Sequence, residues 1–134
     1  MDLASKVEAN ASDGVISAQA IDKLSSQLGT PSENLYAGLG MSFQTQLNLE
    51  HDLQFVLCVG NCRDRGSLDC AKTLLEIKAK RETKSLSSFD IVPQQCLNRC
   101  QEGPVVEIRS KDGNAVLPGA TPKAVSQAVK ELLE

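Results

Sequence analysis

The sequence predicts an α/β protein in which a short helical lobe precedes a domain of order β-α-β, then β-β-α. Three observations carry this. Leu53 to Val59 (LQFVLCV) is a nearly continuous apolar run of strand length, the pattern of a central strand covered on both faces. A helix-period segment from Gly66 to Lys80 separates it from a second short apolar run, Phe89 to Val92. Then Lys111-Asp112-Gly113-Asn114, a hairpin signal, joins two short strands ahead of a last amphipathic helix. The division expected is residues 1–45 as the helical extension and residues 46–134 as the α/β domain.

The elements follow in order. Residues 2–11 are polar with small apolar residues, a short helix or a loose start. Ser17 is placed as an N-cap, with Ile16 before it and Ile21 at the fourth helical position forming a hydrophobic staple. Ile21, Leu24 and Leu28 make one stripe, which Gly29 ends at the C-cap. Thr30-Pro31-Ser32-Glu33 reads as a capping box with proline at the first helical position. That second helix buries Leu35 and Leu39 and stops near Gly40. Residues 41–52 are a polar, extended connector.

After the first strand, Leu68, Cys70, Ala71, Leu74, Leu75 and Ile77 fall on one half of the helical wheel. Residues 81–88 read as a Ser-rich loop, and the strand beginning at Phe89 is expected to end at Pro93. Gly103-Pro104 marks a turn, Val105 to Arg109 alternates as a strand, and Ala115 to Leu117 returns. Thr121-Pro122 caps a helix whose stripe is Ala124, Val125, Ala128, Val129, Leu132 and Leu133. A parallel pair joined by a crossover helix, followed by a hairpin and a helix, is a thioredoxin-like layout.

Composition narrows the function classes. A chain of 134 residues can bury a core without disulfide staples. Tyr36, Phe43, Phe55 and Phe89 are its only aromatic residues, so the core is largely aliphatic. A net charge of −3 offers no basic face for nucleic acid. No apolar run is long enough to span a bilayer, and the start lacks the order of a signal peptide, so a cytoplasmic location is expected. Five cysteines is an odd count and fits a disulfide framework poorly.

Four of those cysteines form two equal pairs, Cys58-x3-Cys62 and Cys96-x3-Cys100, each where a strand gives way to a loop. Four converging thiolates can hold zinc, hold an iron–sulfur cluster, or exchange electrons as dithiols. Structural zinc usually takes C-x2-C knuckles. Dithiol oxidoreductases use C-x-x-C at a helix start. A [2Fe–2S] cluster takes two thiolates on each iron, and two loops that each offer a pair match that need. Gly60 and Gly103 allow close backbone approach. Arg63, Arg65 and Arg99 lie beside the pairs. There they either favour a reduced, more negative cluster or simply stay solvated. Cys70 shares the apolar face of its helix and reads as a core residue. His51 is the only histidine, which closes a two-histidine Rieske site and leaves it on the surface or in the connector. No G-x-G-x-x-G follows the first strand, and no nucleophile set can be completed, so catalysis by this chain alone is not expected.

Cys62-Arg63-Asp64-Arg65-Gly66-Ser67 and Cys96-Leu97-Asn98-Arg99-Cys100-Gln101-Glu102-Gly103-Pro104-Val105-Val106 resemble the two signature segments of the thioredoxin-like [2Fe–2S] ferredoxins. That family includes the 24 kDa-type subunit of NADH:quinone oxidoreductase and related subunits of NAD-linked formate dehydrogenases and hydrogenases. The resemblance runs from Leu53 to the C-terminus. It implies Cys58, Cys62, Cys96 and Cys100 as ligands of one [2Fe–2S] cluster. The family commonly spaces its first pair wider than the C-x3-C found here. Residues 14–37 resemble the helical region that precedes this domain in multi-subunit members. The implied role is an electron-transfer subunit that meets a flavin-bearing, nucleotide-binding subunit of an NAD(P)H-linked oxidoreductase. The alternatives are a free-standing ferredoxin, which could be a homodimer, and a structural zinc module.

Overall fold

A computed structural model describes residues 3–40, 45–58, 66–94 and 105–133. The first helix is α1 (Leu3–Ala9), which settles the N-terminal segment as helical and buries Val7. A two-residue strand, β1 (Val15–Ile16), leads into α2 (Ala18–Leu28). The α2 caps are those the sequence predicts. The Ser17 hydroxyl accepts the Ala20 N–H at 3.1 Å, and Gly29 takes a left-handed φ of 63° while its N–H bonds the Ser25 carbonyl. No atom would meet a Cβ at Gly29, so Gly29→Ala strains only the backbone, by about 1 kcal/mol. Ile16 and Ile21, the expected staple, both lie in the core. The next helix, α3 (Ser32–Gly40), begins just after Pro31 and buries Leu35, Tyr36, Ala37 and Leu39.

The connector is more ordered than a polar crossing. Its β2 (Gln46–Leu47) pairs in parallel with β1, Val15 facing Gln46 and Ile16 facing Leu47. This small sheet ties the start of the lobe to the approach to the main domain. The strand β3 (Gln54–Cys58) follows, then α4 (Ser67–Thr83), β4 (Asp90–Gln94), β5 (Val106–Ser110), β6 (Gly113–Leu117) and α5 (Pro122–Leu133). The main sheet has the order β4-β3-β5-β6. In it β3 and β4 are parallel, while β3–β5 and β5–β6 are antiparallel. Thr121 caps α5, its hydroxyl accepting the Ala124 N–H at 3.1 Å.

Register and alternation sort the sheet into two faces. Phe55 faces Ile91 on one side and Ile108 on the other, and Leu57 faces Val106. These residues join Cys70, Ala71 and Leu74 of α4 and Val125, Ala128 and Val129 of α5 in one apolar cluster. Ile21, Leu24, Leu35, Tyr36 and Leu39 of the lobe belong to the same cluster. Phe55 and Phe89 meet edge to face, with ring centroids 5.0 Å apart.

Four expectations need correction. Helix α4 runs through Arg81 to Thr83 instead of ending at Lys80. Arg81 is buried despite its charge, because its Nε donates to the Ser87 carbonyl and its Nη2 to the Leu133 carbonyl. Leu68, placed on the buried face of α4, is only half-buried. Strand β4 continues through Pro93, which an edge strand tolerates because one side of its backbone has no ladder to serve. Leu132, placed on the buried stripe of α5, is 48% exposed.

Two buried charges brace β4, Asp90 against the connector and Lys78 against α4. The Asp90 carboxylate, 3% exposed, accepts the N–H groups of Glu50 and His51, each at 2.9 Å. Lys78 Nζ donates to the Phe89 carbonyl at 2.7 Å and pairs with Glu82 at 2.9 Å. Replacing Asp90 with alanine strands two backbone donors and is expected to cost about 2 kcal/mol in urea unfolding. Asp90→Asn retains an acceptor and should cost clearly less. Equal losses in the two variants would show that the paired N–H bonds are not the source of the effect.

Candidate metal centre

Both cysteine segments start at the same end of the sheet. Cys58 is the last residue of β3 and stands in register with Gln94, the last residue of the parallel strand β4. Neighbouring strands lie about 4.8 Å apart, so the two strand ends stand side by side. Cys96 follows Gln94 by two residues in the chain. Cys58 is 1% exposed, yet it lies outside the apolar cluster. Alternation puts it on the face of Val56, opposite Phe55 and Leu57. The other three candidate ligands, Cys62, Cys96 and Cys100, lie outside the described residues, as do Gly60, Arg63, Arg65, Arg99 and Gly103.

The start of α4 adds a residue that the sequence did not single out for this role. Ser67, also 1% exposed, donates its hydroxyl to the Cys58 carbonyl. This holds the two described ends of the first cysteine segment against each other. Gly66 precedes it at φ 114°, a conformation that L side chains rarely adopt, and its carbonyl accepts the Cys70 N–H at 3.1 Å. A Gly-Ser pair at a helix start, directly after a strand and a cysteine segment, was the available signal. It shows that the backbone turns sharply there, but it does not show which carbonyl the hydroxyl reaches.

Cys58, the candidate ligand among the described residues, offers a thiol of the kind that holds iron or zinc once ionised. Cys58 ends β3 and stands clear of the hydrophobic cluster. Solved structures share the fold. A thioredoxin-like [2Fe-2S] ferredoxin from Aquifex aeolicus superposes with a TM-score of 0.51 at 24% identity, over 63% of this chain and 87% of its own. A second structure of a ferredoxin so described, from the same organism, gives 0.53 at 21% identity, over 63% and 83%. The fold is thioredoxin-like. A cysteine-to-serine variant of the Aquifex protein gives 0.52 at 23%, over 61% and 87%. No protein-family model matches the chain, and no curated protein matches it.

Within this thioredoxin-like fold the fifth cysteine has a different setting. Cys70 is fully buried in the cluster, between α4 and the sheet. Burial, with a smaller contribution from Asp69, pushes its thiol up to about 11. His51 is half-buried in the connector, where its N–H serves Asp90.

The Cys70 shift sets a pH dependence. The unfolded thiol ionises near 9 and the folded one near 11. Between those values the native state holds a proton that the unfolded state has lost. Stability from this group is therefore complete below about pH 9 and drains away as pH climbs toward 11. The expected observation is a fall in urea midpoint over that interval that is absent in Cys70→Ala, once each protein is normalised to its own neutral value. Iodoacetamide at pH 8 should label Cys70 only in denaturant, as mass mapping of the alkylated peptide would show.

Proposed function

We propose that this chain is an electron-transfer protein carrying one [2Fe–2S] cluster on Cys58, Cys62, Cys96 and Cys100, and that it works in the cytoplasm as a subunit of an NAD(P)H-linked oxidoreductase. The observation that carries the reading is the register of β3 and β4. It sets Cys58 beside Gln94, two residues before Cys96 in the chain, in a fold shared with [2Fe-2S] ferredoxins. When bound, such a cluster takes up and returns a single electron. The chain's own residues do the rest. Four thiolates hold the group, and the Ser67 bond keeps the Cys58 backbone in place. Arg63, Arg65 and Arg99, next to the cysteines in sequence, would supply positive charge that favours the reduced form, and glycines at 60 and 103 would let backbone N–H groups approach sulfur.

The partner in this proposal is a flavin-bearing, nucleotide-binding subunit. Its support is the helix pair α2 and α3, since the resemblance over residues 14–37 ties that region to multi-subunit members. That pair is packed into the core of the domain and not left as a loose appendage.

Anaerobically purified protein should be reddish-brown, contain two irons per chain and give an EPR signal only after reduction. Cys96→Ser should lose most of the visible absorbance, while Cys70→Ser should keep it and lose about 1–3 kcal/mol of stability from its buried hydroxyl. Bleaching by Cys70→Ser combined with full colour in Cys62→Ser would overturn the ligand set. One zinc and no iron, before and after reconstitution, would replace electron transfer with a structural site.

A further inference from the structure

A cavity of about 180 Å³ opens where the end of α4, the loop behind it and α5 meet. Its apolar lining is Ile77, Leu86 and Val129. Its charged lining is Lys80 from the last turn of α4, Lys84 at the cap of that helix, and Lys130 from the last turn of α5. All three lysines are exposed, and among the described residues none of them makes an ion pair. Arg81 also borders the cavity, but its donors serve the Ser87 and Leu133 carbonyls. No described carboxylate lines it. The whole chain carries 17 acidic and 14 basic residues, so this positive rim runs against a net charge of −3.

Lysines in a last turn also complement the helix dipole. That accounts for the charges and leaves Leu86 unexplained. Leu86 is 49% exposed, yet its backbone is held firmly. Helix α4 ends in a Schellman motif: the Leu86 N–H bonds the Arg81 carbonyl at 2.8 Å, and the Ser85 N–H bonds the Glu82 carbonyl at 3.1 Å. Ser85 takes the left-handed φ of 57° that this motif usually gives to glycine. The residue in the place of Leu86 commonly packs back on the helix. Here about half of it stays in water, in a cavity wall it shares with Ile77.

Two features choose the occupant. The volume lies below the roughly 300–1,000 Å³ of small-molecule clefts, so it suits one side chain more than a whole ligand. Three cations surround an apolar lining, so the side chain that enters should be aliphatic with carboxylates on either side. We infer that this cavity docks an acidic segment of a partner protein. One leucine-like side chain seats against Ile77, Leu86 and Val129, and the flanking carboxylates meet Lys80, Lys84 and Lys130. The site lies at the far end of α4 from Cys58, and the 17 residues of that helix span about 25 Å. The inference therefore does not depend on the cluster.

The test uses the full-length, nitrogen-15-labelled protein and a capped peptide, Glu-Asp-Glu-Leu-Glu-Asp-Glu. Saturable amide shifts at Ile77, Leu86 and Val129 are expected, with a dissociation constant on the order of millimolar. The peptide with serine in place of leucine, and the peptide with glutamine and asparagine in place of its acids, should each bind about fivefold more weakly. Lys84→Gln and Lys130→Gln change exposed positions, and each should weaken binding about threefold. Leu86→Ser should weaken it about fivefold. The proposal is overturned by no saturable shift at those amides, by equal binding of the serine or the uncharged peptide, or by undiminished binding in both lysine variants. Inorganic phosphate that matches the peptide, or anionic phospholipid vesicles that bind where the peptide does not, would overturn it as well.

Discussion

Strands β3 and β4 run parallel, and a parallel pair cannot be closed by a short turn. The chain must leave the end of β3, cross the sheet and return to the start of β4. Helix α4 provides the crossing, and its cost in loop-closure entropy has to be met by contacts at its ends. At the start of the crossing the Ser67 hydroxyl holds the Cys58 carbonyl. At its end Lys78 holds the Phe89 carbonyl, and the Asp90 N–H bonds the Leu53 carbonyl at 2.9 Å. These ties act on register. A slip of one residue would turn every side chain of β3 to the other face. Cys58 would then point into the apolar cluster, and Leu57 would take its place.

The apolar core alone does not enforce that register. Valine, leucine and isoleucine on β3, β4 and β5 pack acceptably against many aliphatic neighbours. A buried charge is less forgiving, because a lost partner leaves an uncompensated group. Asp90, Lys78 and Arg81 are all buried, and all lie near the junction of α4, β4 and the connector. Each is met by backbone groups whose positions belong to one register only. The polar contacts thus select among arrangements that hydrophobic burial would treat as nearly equal.

This division explains what the sequence could convey. The caps of α2, the stripe of Ile21 and Leu24, the apolar run of β3 and the two-residue turn between β5 and β6 are local, and local patterns are readable. The β1–β2 pairing was hidden because two residues carry no period and their partners lie about thirty positions away. The last turn of α4 read as loop because Arg81, Thr83 and Lys84 are polar. The structure buries the arginine by giving its donors carbonyls from two other segments. At the candidate site, spacing marked the four cysteines, and pairing then set Cys58 beside Gln94, two residues ahead of Cys96 in the chain. The contribution of Ser67 could not be read, since a hydroxyl in sequence does not name its acceptor.

Cys58 and Cys70 show how a fold assigns different chemistry to one residue type. Both are buried, and both lie within thirteen positions of each other on consecutive elements. Cys70 sits in the apolar cluster, where the medium penalises a thiolate and keeps the proton on sulfur. Ligation of a metal requires the thiolate, so that setting works against it. Cys58 is on the opposite face of the sheet, outside the cluster, at the point where β3 ends beside β4. Alternation along β3 puts Cys58 on that face, since Leu57 faces inward with the core. The inward demand of Leu57 places the next residue outward, and the pairing with β4 determines what stands beside it. On this account the position of the proposed ligand follows from core packing together with the polar contacts that fix the register, and the proposed redox chemistry would use a geometry that the fold already sets.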